Sequence, residues 1–412
     1  MQSGKGMGKA ALSLVTLVVS CLLSVQTLPS FSSYFSSRSI TTSGFIGETT
    51  VELPRPRKHV IAYVGTFIDE RANFIASHFE MVVTGFETAS TIGKIKSANP
   101  NVTVLGYMDI MAMGPSRDDW AEVDQHEDWF LHDMHGNRLI HSYWAWYAMD
   151  VGNPDWRSHY ANYVKDKLDT YPYDGVFADD VWEWVDYHNT VWTVDSSLVP
   201  PEIQQRWHND MLEMIRFVKE TIGNKLLIVN TSNDYDYVNA CDGKMEESFA
   251  HPHWWSLDEF HDEWYDWKGK VDNLKKISQK GKYYLAHSGT KIPNNPTEAE
   301  LDRVRDMVIY CLASYLLGVS GEKASFGFNN IYSKDGSQGY YREFDVSLGS
   351  HLNEYYNIGL VYARDFEGGK VLVNPTTSFY TVDLGAEYKT LDGEIISNVM
   401  LDGHSGIILL RP

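Results

Sequence analysis

The stretch DGVFADDV, residues 174–181, is a short apolar run that ends on two adjacent carboxylates. A strand can bury the residues before the aspartates, whereas burying two unpaired charges carries a large desolvation cost. We therefore expect the strand to end at Asp179 and Asp180, and both aspartates to lie at a mouth or cleft. Trp182 and Trp184 follow directly. Carboxylates beside aromatic rings at the C-terminal end of a strand indicate sugar chemistry on a barrel.

The composition limits the classes of partner. The chain has 412 residues, enough for an α/β barrel of about 250 residues and a second domain. Its formal net charge of −20 argues against nucleic acid and anionic membrane surfaces as partners, because phosphate binding needs clustered Lys and Arg. The 13 Trp and 25 Tyr suit the faces of sugar rings, although many of them should pack between barrel and helices.

The N-terminus has the form of a secretory signal. Lys5 and Lys9 precede an apolar segment at residues 10–25, so residues 1–27 are predicted to be a signal peptide or an uncleaved membrane anchor. Residues 28–57, rich in Ser, Thr, Pro and Arg, are predicted to be a linker. We expect a secreted or cell-surface protein.

Eight short apolar segments separated by helix-length segments predict a (β/α)8 TIM barrel over residues 58–350. The predicted strands are His59–Val64, Phe79–Thr84, Val102–Met108, Gly175–Ala178, Lys225–Val229, Gly243–Glu246, Lys282–Ala286 and Ala324–Phe328. Two of the helices are well marked. Apolar residues recur every three or four positions over 202–222, and a Thr297–Glu300 capping box opens a second helix that ends near Gly318.

Residues 351–412 are predicted to form a small antiparallel β-domain, because their apolar runs are short and are separated by Gly, Asp and Asn. Cys241 and Cys311 could form one disulfide, but spacing alone does not establish a bridge. The connection between the third and fourth barrel strands is long, and such loops usually build the binding site.

Glycoside hydrolysis needs two carboxyl groups, one protonated and one ionised. Alternation along the fourth strand places Asp179 on the face of Phe177, pointing into the barrel mouth, if that face is the inner one. Asp180 would then cap the next segment, brace a neighbour or bind substrate at the edge. The sixth strand ends on the pair Glu246 and Glu247, which is either a solvated loop end or a catalytic group.

Four stretches carry a resemblance to a known family. They are WFLHD at 129–133 with the Gly136-Asn137 turn, MDVGNPDWR at 149–157, DGVFADDV at 174–181 and DGKMEESF at 242–249. Together they resemble the hypothetical glycosyl hydrolase barrels, distant relatives of the α-galactosidase and endo-α-polygalactosaminidase barrels. The resemblance covers roughly residues 59–330 and implies that Asp179 and Glu247 are the catalytic carboxylates. It alone prefers Glu247 to Glu246. The alanine at 178, where a leucine is more usual, is a departure that does not affect the chemistry.

Further residues at or near strand ends are candidates for binding substrate, with capping or core packing as the alternative. They are Tyr107, Asp109, Asp150, Asp180, Trp182, Asn230, Glu246, Trp254, His287 and Asn329. Asn230 and Asn101 also begin glycosylation sequons, but a position in the barrel mouth would make Asn230 a poor glycan acceptor. The histidines at 251, 253 and 261 match no metal-ligand motif, and we expect neither a metal nor a cofactor.

The sequence therefore predicts a secreted or surface-anchored glycoside hydrolase acting on an oligo- or polysaccharide, with Asp179 as nucleophile or base and Glu247 as general acid/base. Two alternatives remain open at this stage. One is a carbohydrate-binding pseudoenzyme, and the other is a surface scaffold protein without turnover. The sugar, the anomeric specificity, the stereochemical outcome and the oligomeric state do not follow from the sequence.

Overall fold

The computed structural model describes residues 54–62, 67–142, 144–185, 199–231, 235–251, 266–290, 292, 295–329 and 339–412. The predicted signal segment at 1–27 lies outside these residues, and so does the predicted linker except for residues 54–57. Trp254 and the histidines at 253 and 261 also lie outside the described residues.

The (β/α)8 prediction is confirmed. The eight strands are β1 (His59–Ile61), β2 (Met81–Gly85), β3 (Thr103–Asp109), β4 (Gly175–Asp179), β5 (Leu226–Asn230), β6 (Gly243–Glu246), β7 (Tyr283–Ser288) and β8 (Ala324–Phe328). They are parallel and pair in chain order from β1 to β8. A parallel bridge between Lys58 and Phe326 brings β8 back to β1.

Asn329 completes the junction between β8 and β1. Its side chain accepts a hydrogen bond from the Ile61 backbone N–H at 3.3 Å and donates one to the Ile61 carbonyl at 2.9 Å. The amide thus imitates a ladder partner for Ile61, and Asn329 is 1% exposed. This placement corrects the expectation that Asn329 contacts sugar, because its polar atoms satisfy backbone groups that the barrel seam would otherwise leave unpaired.

The barrel has an inner core and an outer one. The inner core is formed by Ile61, Met81, Val83, Leu105, Phe177, Ile228, Met245 and Leu285. Val176 and Ala178, the alternate residues of β4, pack in the outer core instead. The predicted alternation along β4 is confirmed, and Asp179 therefore shares the inner face with Phe177.

The helices surround the strands. They are α1 (Asp69–His78), α2 (Ala89–Ala98), α3 (Pro154–Thr170), α4 (Pro201–Ile222), α5 (Tyr235–Ala240), α6 (Trp267–Gln279) and α7 (Glu298–Gly318). Helix α4 buries the apolar stripe predicted from the sequence, from Ile203 to Ile222. Helix α7 begins at the predicted capping box of Thr297 and Glu300, and its second half is buried nearly all round.

The connection from β3 to β4 forms a subdomain over the barrel mouth, the end of the barrel where the eight strands reach their C-termini. Two short antiparallel strands, Ala112–Met113 and Tyr147–Ala148, lie at its centre. Asn153 caps α3 by accepting hydrogen bonds from the backbone N–H groups of Asp155 at 2.9 Å and Trp156 at 3.2 Å. This part of the MDVGNPDWR stretch therefore holds the loop in place.

The C-terminal region is a six-stranded antiparallel sheet, as predicted. Its strands are β9 (Tyr356–Ile358), β10 (Val361–Phe366), β11 (Gly369–Asn374), β12 (Tyr380–Thr390), β13 (Ile395–Leu401) and β14 (Ser405–Leu410). The order in the sheet is β9-β10-β11-β14-β12-β13. A Cβ at Gly406 would lie 3.1 Å from the Ala313 side chain, so the glycine lets β14 approach α7 closely.

Arg364 joins the sheet to the barrel. Its side chain is fully buried, and Nη1 donates to the carbonyls of Leu316 at 3.0 Å, Leu317 at 2.8 Å and Val319 at 2.6 Å. These carbonyls belong to the C-terminal end of α7, where a helix leaves backbone acceptors unpaired. The β-domain thus caps a barrel helix and shares its core.

Cys241 and Cys311 are both buried free thiols, so they form no bridge with each other. Within the described ranges, no helix has the length and hydropathy needed to cross a membrane. The same ranges contain no group of three or more His, Cys, Asp or Glu side chains arranged to hold a metal ion.

Candidate active site

Asp179 and Glu247 meet at the barrel mouth through a single side chain. Asn230, the last residue of β5, donates from Nδ2 to Asp179 Oδ1 at 2.8 Å and to Glu247 Oε2 at 2.8 Å. An amide nitrogen carries two hydrogens, so each carboxylate receives one of them. The two oxygens can therefore be no further apart than twice 2.8 Å.

Strand geometry explains why these three residues converge. Asp179, Asn230 and Glu247 follow the inner-core residues Phe177, Ile228 and Met245 by two positions each. Side chains two apart share a face of a strand, so all three point inward at the C-terminal ends of adjacent strands. Each of the three is only partly exposed. Such a position lets a carboxylate reach a ligand while remaining largely desolvated.

Tyr107 lies on the same inner face of β3. Its ring stacks with Phe177 at a centroid distance of 6.2 Å, and its hydroxyl hydrogen-bonds to Asp179. The Asp180 backbone N–H also donates to Asp179 Oδ1, at 3.0 Å. Several donors therefore orient the Asp179 carboxylate.

The electrostatics separate the roles of the two carboxyls. Burial, reinforced by the charge of Asp179, raises the pKa of Glu247 to about 7. Burial also raises the pKa of Asp179, but hydrogen bonds from Asn230 and Tyr107 oppose the shift. A carboxyl with a pKa near 7 holds a proton that it can give up at neutral pH, which is the property required of a general acid.

Asp180 and Asp109 form a second carboxyl pair beside the first. Asp180 has a left-handed backbone conformation with φ 54°, and its side chain hydrogen-bonds to that of Asp109. Asp109 also accepts from the backbone N–H groups of Met111 at 2.8 Å and Ala112 at 2.6 Å. Burial and the charges of Asp109 and Asp179 raise the pKa of Asp180 well above its usual range. Asp180 is therefore the protonated partner that donates to Asp109.

This second pair was not foreseen from the sequence, although a signal was present. The third and fourth predicted strands are adjacent in a barrel, and both end on aspartate. The observed register places Asp109 directly opposite Asp179. Side chains opposite each other on parallel neighbours are close enough to interact, so the pairing could have been inferred from the strand order.

Glu246 lies away from the barrel mouth, contrary to the expectation that it binds substrate. Its Oε2 accepts from Lys244 Nζ at 2.7 Å, and Oε1 lies 3.2 Å from Lys270 Nζ of α6. Glu246 is 5% exposed and occupies the face opposite Glu247. Lys244, two residues earlier on that face, was the signal for an ion pair in the helix layer.

Asp150 and His287 are also held by the protein itself. Both carboxylate oxygens of Asp150 accept from Arg206 of α4, each at 2.9 Å, so Asp150 fastens the loop before α3 to α4. His287 is fully buried on the inner face, with Nδ1 3.1 Å from His59 Nε2. Burial lowers the pKa of His287 to about 3, which keeps the ring uncharged. Neither placement matches the expected contact with substrate.

Tryptophans of two loops lie exposed at or near the barrel mouth. Trp184 and Trp144 are 61% and 44% exposed, and Trp144 lies 6.4 Å from Trp146 between ring centroids. Trp182, partly exposed, lies 6.4 Å from His141, the residue that opens the turn carrying Trp144. Exposed indole faces of this kind can stack on sugar rings.

Comparison with known proteins places this geometry in a family. No curated protein sequence matches the chain. Solved structures with similar folds include the glycoside hydrolase domain of PelA from Pseudomonas aeruginosa (16% identity, 69% of this chain and 98% of that chain, TM-score 0.47). Ega3 from Aspergillus fumigatus in complex with galactosamine is also similar (13%, 73% and 98%, 0.44). A third is the GH36 α-galactosidase AgaA from Geobacillus stearothermophilus (12%, 86% and 55%, 0.46).

Residues 96–370 match the family described as hypothetical glycosyl hydrolase family 15. The match spans the long loop, the ends of β4 to β6 that carry the carboxylates, and the start of the C-terminal sheet. The chain therefore belongs to hypothetical glycosyl hydrolase family 15.

Proposed function

We propose that the chain is a retaining glycoside hydrolase with Asp179 as nucleophile and Glu247 as general acid/base. The observation that carries the proposal is the shared Asn230 amide. It limits the nearest carboxyl oxygens to twice 2.8 Å. Retaining enzymes have carboxyl groups about 5–5.5 Å apart, whereas inverting enzymes keep about 6.5–9.5 Å to admit a water molecule.

In the first step, an ionised Asp179 attacks the anomeric carbon while Glu247 gives its proton to the leaving oxygen. The glycosidic bond breaks, and an ester forms between the sugar and Asp179. A Glu247 pKa of about 7, set by burial and the Asp179 charge, supports this assignment because the proton is present at neutral pH. The hydrogen bonds from Asn230 and Tyr107 keep Asp179 ionised.

In the second step, Glu247 is ionised and takes a proton from water. The resulting hydroxide equivalent attacks the anomeric carbon, the ester bond breaks, and Asp179 leaves as a carboxylate. Ester formation removes the negative charge of Asp179, which lowers the proton affinity of Glu247 when it must act as a base. The coupling between the two carboxyls therefore matches the order of the steps.

The remaining residues of the mouth are assigned to substrate binding. The proton-sharing pair of Asp180 and Asp109 offers both a donor and an acceptor to sugar hydroxyls. Trp182 supplies an apolar face directly beside this pair. Trp144 and Trp184 extend the aromatic surface, which suits an oligo- or polysaccharide better than a monosaccharide. Trp254 stays a further candidate in the loop after β6.

We also propose that the protein is secreted or held at the cell surface by its N-terminal segment. The support is the basic start and apolar run of residues 1–27. N-terminal sequencing of the protein recovered from the medium or the membrane fraction tests this assignment. A start at Met1 in recovered soluble protein would contradict a cleaved signal.

The hydrolase proposal is tested with a polysaccharide panel and two substitutions. Asp179→Asn and Glu247→Gln should each lower kcat by at least 10³-fold, the upper part of the range for such groups, with unchanged circular dichroism. Proton NMR of the first product should show the anomer of the substrate. Full activity in either variant would refute the assignment, and an inverted first product would refute retention. Saccharide binding without hydrolysis by the native protein would favour a binding protein instead.

A further inference from the structure

We propose that Lys270 is a positioning residue for Glu247, acting from α6 through a buried cluster of Lys244, Glu246 and Lys270. The inference rests on the proposed function, because it concerns the group assigned there as the general acid/base. None of the three cluster residues is placed to touch a substrate. Their effect would pass through the backbone and the local field.

The cluster is built behind β6, on the face turned toward α6. Glu246 binds Lys244 Nζ at 2.7 Å and Lys270 Nζ at 3.2 Å, and the Tyr284 hydroxyl lies 3.5 Å from Glu246 Oε2. Lys244 is fully buried and Glu246 is 5% exposed. Buried charges of this kind seldom add net stability, because desolvation offsets their attraction. Packing alone is therefore a weak reason for placing a second lysine on one glutamate.

Lys270 also holds the chain on the far side of Glu247. Its Nζ donates to the Ser248 carbonyl at 2.8 Å. Ser248 has φ 56°, a left-handed conformation that serine seldom adopts without support. Lys270 thus binds both the residue before Glu247 and the residue after it. These contacts fix the turn that aims the Glu247 carboxyl at Asn230.

Helix placement makes this contact more telling. Lys270 lies in the first turn of α6, whose N-cap is Asp266. A positive charge near a helix N-terminus is disfavoured by the helix dipole. The contacts with Glu246 and Ser248 offset this penalty.

The charges around Glu247 define what Lys270 does to its titration. Asp179 and Asp180 face Glu247 from β4, Glu246 is its neighbour on β6, and β3 adds Asp109 through its pairing with Asp180. β7 presents the uncharged His287 on the inner face. Glu183, in the loop after β4, acts electrostatically on Lys244. Against these carboxylates, the charge of Lys270 lowers the pKa of Glu247. Without Lys270, Glu247 would hold its proton too tightly to act as a base in the second step.

A double-mutant cycle tests the coupling without any substrate. Thermal unfolding is measured for the native chain, Lys270→Met, Glu247→Gln and the double variant at pH 5 and pH 8.5. Glu247→Gln should raise Tm at pH 8.5, and the gain should be larger by several degrees in the Lys270→Met background than in the native one. The difference should shrink at pH 5, where Glu247 is protonated in both backgrounds. Equal gains in both backgrounds at pH 8.5 would overturn the proposal.

Activity gives a second, separate readout. Lys270→Met should lower kcat about ten- to a hundredfold with KM within about twofold, as expected for a misplaced catalytic group. The basic limb of the pH profile should move to higher pH, and Lys270→Arg should restore both kcat and the limb. Lys268→Met, an exposed lysine on the same helix, is the matched control and should change neither. An unshifted limb in Lys270→Met, or an equal shift in Lys268→Met, would overturn the proposal.

Lys270→Gln replaces Lys270→Met in both experiments if the methionine variant does not fold, because glutamine removes the charge but stays polar. If the native chain hydrolyses no glycan, the proposed function fails, yet the unfolding cycle still decides whether Lys270 acts on Glu247.

Discussion

Asn230 connects both carboxylates through one nitrogen atom, and this makes it the residue with the most consequences for its size. Its two N–H groups bind the candidate nucleophile and the candidate acid/base at 2.8 Å each. The hydrogen bonds lower the pKa of both carboxyls, opposing the upward shift that burial causes. A single substitution here should therefore disturb position and protonation together.

We predict that Asn230→Ala lowers kcat/KM by about 10²–10³-fold, the range for losing a preorganised donor in an active site. The basic limb of the pH profile should rise, because the pKa of Glu247 loses a lowering contact. Steady-state kinetics across pH 5–9 measure both effects. Asn101→Ala, at an exposed asparagine that also begins a sequon, is the control. Activity within twofold of the native value would refute a bridging role for Asn230.

At the scale of elements, the end of α7 depends on a residue of another domain. Arg364 supplies the donors for three carbonyls that the helix leaves unpaired, and it does so from β10. Burial lowers the pKa of Arg364 to about 10, so the group remains charged at neutral pH. The contact explains why the sheet and the barrel should unfold together.

Arg364→Met should lower the free energy of unfolding by about 3 kcal/mol, because several buried carbonyls lose their donor at once. Urea denaturation followed by tryptophan fluorescence measures the change. Arg411→Met, at an exposed arginine, should stay within about 0.5 kcal/mol of the native value. A loss below about 1 kcal/mol for Arg364→Met would mean that water replaces the guanidinium.

The barrel strands were predictable because alternation and turn residues agree along them, and the observed strands begin and end within about two residues of the predictions where they are described. Strands β12 and β13 were not foreseen individually. The register between them shifts between Asp383 and Tyr388, with Gly385 at φ 71°, which breaks the alternation.

The candidate site was predictable in part, and the reason is again physical. Strand parity separates Asp179 from Asp180, and the same argument applied to Lys244 and Glu246 would have placed both in the helix layer. Asp150 could not be placed this way, since its partner Arg206 lies on α4, 56 residues later in the chain. Contacts between distant loops and helices leave no periodic signal in the sequence.

For the whole molecule, the barrel mouth should make stability fall as pH rises. A carboxyl whose folded pKa is raised binds its proton more tightly when folded, so its penalty grows above the unfolded pKa. For Glu247 and Asp109 the penalty should develop between about pH 4.5 and 7, and for Asp180 it should continue above pH 7. Asp119 and Glu127 act the other way, but their lowered pKa values of about 2 confine their effect to acid pH.

We therefore predict a higher Tm at pH 5 than at pH 8, measured by calorimetry at constant ionic strength. Asp180→Asn should reduce the difference by several degrees, because it removes one of the carboxyls that ionise unfavourably. Asp236→Asn, at an exposed aspartate on α5, serves as the control. A Tm that rises from pH 5 to pH 8 would show that surface ion pairs outweigh the mouth.

The Asn230-Thr231-Ser232 sequon turns the bridging amide into a question of timing during biosynthesis. A glycan attached to this nitrogen would take one of its two hydrogens and place a sugar between the carboxylates, so a modified molecule could never become active. The chain must close the barrel before a glycosyltransferase reaches it, and a host that glycosylates during translation would yield a mixture of active and dead protein. Peptide mass analysis of material from glycosylating and non-glycosylating hosts, compared with specific activity, would measure the fraction lost.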